Sequence, residues 1–164
     1  MDPGWRVCGG GGDVSRALDD LDPIFKPLAF EFLARLTEAQ IHVLIVDTLR
    51  TPAEQADNIA RGVSWTLNSK HLVQPDGYGY AVDLVPYIDG QLRWEWPAIY
   101  PIAWAVRKAA LELDTELIWG GVWDRPMSEL GDTADAIKRD VVEYTKRHPG
   151  PDFLDGPHYQ LVYL

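Results

Sequence analysis

Two histidines in polar, glycine-rich surroundings and one acid in an apolar run are the residues of this 164-residue chain best suited to chemistry. Residues 69–86, SKHLVQPDGYGYAVDLVP, place His71 in a loop and continue into Ala81-Val82-Asp83-Leu84-Val85. An acid with apolar neighbours on both sides rarely occurs without a partner charge or a metal to account for it. The far end repeats the pattern, with His158 inside Asp155-Gly156-Pro157-His158-Tyr159-Gln160-Leu161. Imidazole nitrogen with carboxylate oxygen suits zinc, which in catalytic sites keeps three protein ligands and an open fourth position. Magnesium or calcium would want more oxygen ligands. Two neutral imidazoles and one carboxylate would leave a net charge of about +1, so that water on the metal would ionise near neutral pH. Spacing alone does not decide the matter. His71 and Asp83 are twelve positions apart, as many unrelated pairs are, and there is no HExxH helix. His42 at the head of a strand and His148 at the end of a helix have structural explanations, the latter in the helix dipole.

The elements that would carry these residues can be read from pattern. Asp13 caps a short helix over 14–20. Residues 24–40 recur at helical spacing through Ile24, Leu28, Phe32 and Leu36, which predicts a long amphipathic helix. His42 to Asp47 is short, apolar and β-branched and reads as a buried strand. Thr51, Pro52 and Glu54 form a capping box with proline at the first helical position, opening a helix that runs to about Arg61, with Gly62 as its stop. Arg50 then falls between a strand end and a helix start. A strand over 81–85, a hairpin tip at Asp89-Gly90, a helix over 97–113, a strand over 117–119, partly helical structure over 126–147 and a final strand over 158–164 complete the chain. The four glycines at 9–12 make residues 1–12 a flexible lead-in, and 13–164 a single domain.

Composition narrows the function classes. Hydrophobic residues at 46% and charged residues at 24% describe an ordinary globular protein. Fifteen Lys+Arg against 25 Asp+Glu give a formal charge of −10, which argues against a nucleic-acid partner. The single cysteine, Cys8, leaves no internal disulfide and fits a reducing compartment. The N-terminus lacks an apolar signal region and no run reaches the ~18 residues of a membrane span, so the expectation is a cytoplasmic product without membrane insertion.

Four blocks, in order, resemble the M15 zinc metallopeptidases of the D-alanyl-D-alanine carboxypeptidase-like (LAS) group, and most of all the L-alanyl-D-glutamate endopeptidases used as phage endolysins. They are Leu49-Arg50-Thr51-Pro52-Ala53-Glu54-Gln55, then Ser69-Lys70-His71 with Gly79-Tyr80-Ala81-Val82-Asp83-Leu84, then Trp119-Gly120-Gly121-Val122-Trp123, and last the Asp155–Leu161 segment. The match covers about residues 20–164. The resemblance implies an α+β fold, a small and mainly antiparallel sheet carrying a zinc site packed with helices, of the Hedgehog/DD-peptidase kind. It implies one Zn2+ held by His71, Asp83 and His158, with Asp155 as general base and Arg50 as a stabiliser of the oxyanion or of a substrate carboxylate. Ser69, Gln55, Trp119 and Trp123 would meet the substrate, although core packing is an equal reading for either tryptophan. The implied substrate is the bacterial peptidoglycan stem peptide, cut between L-Ala and D-Glu. The enzyme would act as a monomer, made in the host cytoplasm and let through to the wall by a holin. A D,D- or L,D-carboxypeptidase and a non-catalytic wall-peptide-binding module remain the alternatives.

Overall fold

The computed structural model describes residues 15–150 and 153–162, so the expected glycine lead-in, the capping Asp13 and the chain end at 163–164 lie outside the described residues. Helix α1 (Phe25–Glu38) buries Phe25, Leu28, Ala29, Phe32, Leu33 and Leu36 on one stripe. Its start is held by Asp22, whose carboxylate accepts from Ile24 N at 2.7 Å. Ahead of it the expected helix over 14–20 is reduced to a 3-10 turn, Leu18–Asp20, because Ser15 instead bridges to Leu49.

Strand β1 (Val43–Asp47) leads into helix α2 (Pro52–Ala60), which carries the full capping box: Thr51 Oγ1 accepts from Glu54 N at 3.3 Å and the Glu54 carboxylate accepts from Thr51 N at 2.7 Å. Strand β2 (Ala81–Ile88) turns into β3 (Gln91–Leu92) through Asp89 and Gly90, with φ of 51° and 76°, the paired left-handed conformation of a tight hairpin. Helix α3 (Trp96–Glu112), strand β4 (Leu117–Trp119), helix α4 (Ala134–Arg147) and strand β5 (His158–Leu161) follow. Thr133 caps α4 by accepting from Ala136 N at 3.0 Å. Among the described residues no helix is long and apolar enough to cross a membrane.

The strands form one antiparallel sheet in the order β1-β2-β5-β4, with β3 on the far end of β2. Helix α3 packs on α1, α4, β2 and β4. Val82 and Leu84 of β2 and Tyr159 and Leu161 of β5 join Phe25, Phe32, Ile102 and Val106 in the core beneath the sheet. Successive strand residues point to opposite faces, so Asp83 and His158 face the other way. They are directly opposed, Asp83 to His158, and therefore share that face. On the other side of β2 the pairing slips: Ile45 opposes Leu84 but Asp47 opposes Asp83, which makes Val46 an extra residue, a β-bulge. Without it Val46 would oppose Asp83. With it, Asp47, Asp83 and His158 lie in a row across three strands on one face.

Candidate metal centre and active site

That row is closed from above by the 69–71 loop. Arg50 N donates to His71 O at 2.8 Å, so the segment that follows β1 carries the segment that holds the histidine. Ser69 Oγ accepts from His71 N at 3.2 Å, which fixes the loop's last turn. As a result His71 Nε2 lies 3.0 Å from Asp83 Oδ1 and 3.2 Å from His158 Nδ1, and His158 Nδ1 lies 3.0 Å from Asp83 Oδ1. All three residues are buried.

The other ring nitrogens settle what these three atoms offer. His71 Nδ1 lies 3.3 Å from Thr48 O, and His158 Nε2 lies 3.0 Å from Gln160 Oε1. A carbonyl oxygen can only accept, so each of those nitrogens is assigned the proton and each imidazole turns a lone pair toward Asp83. Two lone pairs and a carboxylate oxygen then meet at one point, an arrangement that calls for a cation. Ligands about 2.0–2.1 Å from a tetrahedral ion sit about 3.3 Å from one another, close to the separations found, and the group fits a metal. With protons instead of a cation at this point, the imidazoles supply the positive charge themselves. Burial opposes ionisation of Asp83, but the charge of a protonated His71 and hydrogen bonds from protonated His158 and His71 hold it well below the usual carboxylate range. Burial would lower His158, but its hydrogen bond with Asp83 and the charges of Asp83 and Asp155 push it up.

Asp155 stands beside the group, lining the same cavity of about 690 Å3. Burial, and then the charge of Asp83, push its carboxyl up to about 6 against the pull of His158, His71 and Arg50. Its backbone is clamped to the end of β4, with Asp155 N donating to Gly120 O at 2.8 Å and His158 N donating to Asp155 O at 3.1 Å. A Cβ on Gly120 would come within 2.1 Å of Asp155 O. The glycine after Trp119 is thus what lets the Asp155 backbone approach.

The supporting residues divide in a way that one-dimensional reading did not resolve. Arg50 lines the cavity, but its guanidinium is turned on the protein: Nε bonds Asp47, Nη1 donates to Gln55 Oε1 at 2.8 Å, and Nη2 donates to Asp83 Oδ2 at 3.3 Å. Three of its five N–H donors hold the site together, one on the oxygen of Asp83 that faces away from the histidines. Gln55, expected at the substrate, is fully buried and does not line the cavity. Its amide instead ties Arg50 to the next loop, donating to Ser64 Oγ at 2.8 Å and Thr66 O at 2.5 Å. The two tryptophans part company. Trp119 is core, its Nε1 donating to Gly156 O at 2.7 Å, and so is not the cleft wall that one reading expected. Trp123 does line the cavity, its ring 5.3 Å from that of His158 and its Nε1 donating to Phe153 O at 2.7 Å. Ser69 also lines it.

Sequence reasoning missed three participants. Asp47 is buried, its Oδ1 without a hydrogen-bond partner and 3.7 Å from His71 Nδ1. Burial pushes it above the usual carboxylate range against the pull of His71 and Arg50. Only the bulge at Val46 brings it to this face, and the sequence carries no signal for that. Thr48 contributes through its carbonyl, which any residue would have. Gln160 was legible: two residues after His158 in a strand means the same face.

With this geometry in hand, the relatives can be compared. A family model described as phage L-alanyl-D-glutamate peptidase matches residues 14–162. The chain belongs to this family. The L-alanyl-D-glutamate peptidase of Escherichia phage T5 is 34% identical over 122 residues, which are 72% of this chain and 74% of that one. Among solved structures, the Serratia marcescens L-Ala D-Glu endopeptidase ChiX superposes with a TM-score of 0.59 at 27% identity, covering 88% of this chain and 83% of that one. The family and the fold agree with the α+β architecture and the buried His-Asp-His group that the motifs imply.

Proposed function

We propose that this family member is a zinc-dependent peptidoglycan hydrolase that cuts the wall's stem peptide between L-Ala and D-Glu. In this reading it works as a monomer in phage-driven lysis, made in the host cytoplasm and released to the wall through a holin. The observation that carries the proposal is the convergence of His71 Nε2, Asp83 Oδ1 and His158 Nδ1, 3.0–3.2 Å apart, in the cavity that Asp155 also lines. The names of the phage T5 and Serratia relatives support the choice of bond.

Two imidazoles and one carboxylate suit zinc better than the oxygen-seeking cations. A zinc ion held by His71, Asp83 and His158 supplies Lewis-acid polarisation of the scissile carbonyl and a lowered pKa for water. Asp155 accepts a proton from water as its oxygen attacks the L-Ala carbonyl carbon, then delivers that proton to the D-Glu nitrogen as the C–N bond breaks. A carboxyl raised to about 6 is basic enough for the first step and still ionised at neutral pH. Arg50 holds Asp83 and the His71 loop, and Gln160 and Thr48 keep both imidazole lone pairs directed inward. Ser69 and Trp123 meet the peptide.

Mass spectrometry of purified peptidoglycan fragments after incubation with the zinc-loaded protein tests the reading. New fragments with free D-Glu amino termini are the expected result. Loss of terminal D-Ala alone would replace it with a carboxypeptidase. Intact fragments, with zinc confirmed bound, would leave a wall-peptide-binding module.

A further inference from the structure

Three basic side chains line the cavity, Arg50, Arg61 and Lys70, in a chain whose formal charge is −10. Two of them are neutralised from within. Arg50 is paired with Asp47 and Asp83, and Arg61 is paired with Asp57 at 2.9 Å. Lys70 differs: among the described residues it forms no ion pair, and its ammonium lies 5.8 Å from the centre of the Tyr80 ring. A ring face attracts a cation without cancelling its charge. Asp76, the acid closest to it in sequence, is engaged by Tyr80 Oη at 2.9 Å and Tyr78 N at 3.2 Å. The backbone around Lys70 is held on both sides, with Tyr80 N donating to Lys70 O at 2.8 Å and the adjoining Ser69 and His71 buried. A half-buried cation without an ion pair among the described residues is therefore carried on a held stretch of backbone, one residue from His71.

The stem peptide supplies a matching anion. Its D-Glu is extended through the side-chain γ-carboxyl, so the α-carboxyl is free, on the carbon that bears the scissile nitrogen. We propose that Lys70 receives this α-carboxylate and makes the protein selective for D-Glu over its α-amide, D-isoglutamine. The proposal rests on the endopeptidase reading above and deepens it. Lys70 then acts on the leaving-group side of the bond, as a charge-assisted donor in a partly desolvated cleft, where such a bond is stronger than on an open surface.

Two synthetic stem peptides that differ only in carboxylate or carboxamide at the D-Glu α-position provide the test. The zinc-loaded wild type is expected to cleave the carboxylate peptide with a kcat/KM about tenfold higher or more, mostly through KM. Lys70→Met keeps the stem and removes the charge, and should bring the two peptides within about twofold by lowering kcat/KM on the carboxylate one. Lys70→Arg should restore the preference. Equal cleavage of both peptides by the wild type, or a preference that survives Lys70→Met, overturns the proposal. Cleavage of neither peptide by the wild type overturns the endopeptidase reading itself, and this inference with it.

Discussion

Val82 and Leu84 on one side of β2 and Asp83 on the other are all buried, yet different physics holds each face in place. Below the sheet, Val82 and Leu84 meet Phe25, Phe32 and Val106, and removal of apolar surface from water is the whole account. Above it, the buried Asp83, His71, His158 and Asp47 stand beside the half-buried Asp155 and Arg50, charged or polar groups withdrawn from water and compensated largely by one another. One face stabilises the fold, and the other draws on that stability to hold charges in an arrangement that needs a cation. Substitutions on the two faces should therefore fail in different ways.

The largest effect is expected at Asp155. Asp155→Asn should lower kcat by about 10²- to 10⁴-fold while zinc content stays at the wild-type level, read by steady-state kinetics alongside metal analysis. In the metal-free protein the same change should stabilise the fold at pH 7. The Asp155 carboxyl, at about 6 in the folded state, keeps its proton at pH values where the unfolded chain has already lost it. Stability therefore falls as pH rises from about 4 to about 6, and Asn removes that cost, about 1–3 kcal/mol, visible as a higher urea midpoint. Wild-type kcat/KM should correspondingly fall on the acid side at or below about pH 6, since a bound cation pulls the carboxyl down. A substitution that left both turnover and stability unchanged would remove Asp155 from the site.

The opposite face should answer with stability alone. Phe32, fully buried in α1, should cost about 3–5 kcal/mol on truncation to alanine, with the same loss in the metal-free and metal-loaded protein when each is unfolded in urea. If the loss depended strongly on metal, the two faces would not be separable. Asp47→Asn lies between these extremes. It leaves volume unchanged but removes the carboxylate behind His71 and Arg50, and should reduce zinc affinity or activity by about 10- to 100-fold, measured by competition with a chelator. The smallest effect belongs to the α2 cap, where Thr51→Ala should cost about 1 kcal/mol and leave zinc affinity unchanged.

Much of this architecture was readable from local pattern because local physics produces it. The stripe Leu28, Phe32, Leu36 and the Thr51-Pro52-Glu54 box state their helix without reference to anything distant. Gly90 follows Asp89 where both must take positive φ, and the hairpin is where that pair predicts it. The grouping of His71, Asp83 and His158 was legible through motifs, since they stand in blocks whose order matches a family, and the structure brings them together in a buried group that could hold a metal. The failures have a common cause. Gln55 belongs to the same blocks and is expected at the substrate, and Trp119 has cleft wall and core as equal readings, because a motif records that a residue is needed, not which way it points. Both face inward, one to hold Arg50 and the other to pack beneath Gly156. The short helix expected over 14–20 gave way to a bridge between Ser15 and Leu49, a long-range pairing that no window of neighbouring residues contains.

The sequence by itself determined the long helices, the main strands, the residue types of the His-Asp-His group and the net negative charge, because periodicity, caps and residue type are properties of short segments. Only the tertiary structure decided that Asp47 joins the site, that Arg50 points at Asp83 rather than into open space, and that Lys70 alone among the cavity's basic side chains lacks an acidic partner among the described residues. Those facts depend on strand register, on a single-residue bulge and on which acids come within a few ångströms of which bases. They follow from how distant segments pack, and so appear only once the chain has folded.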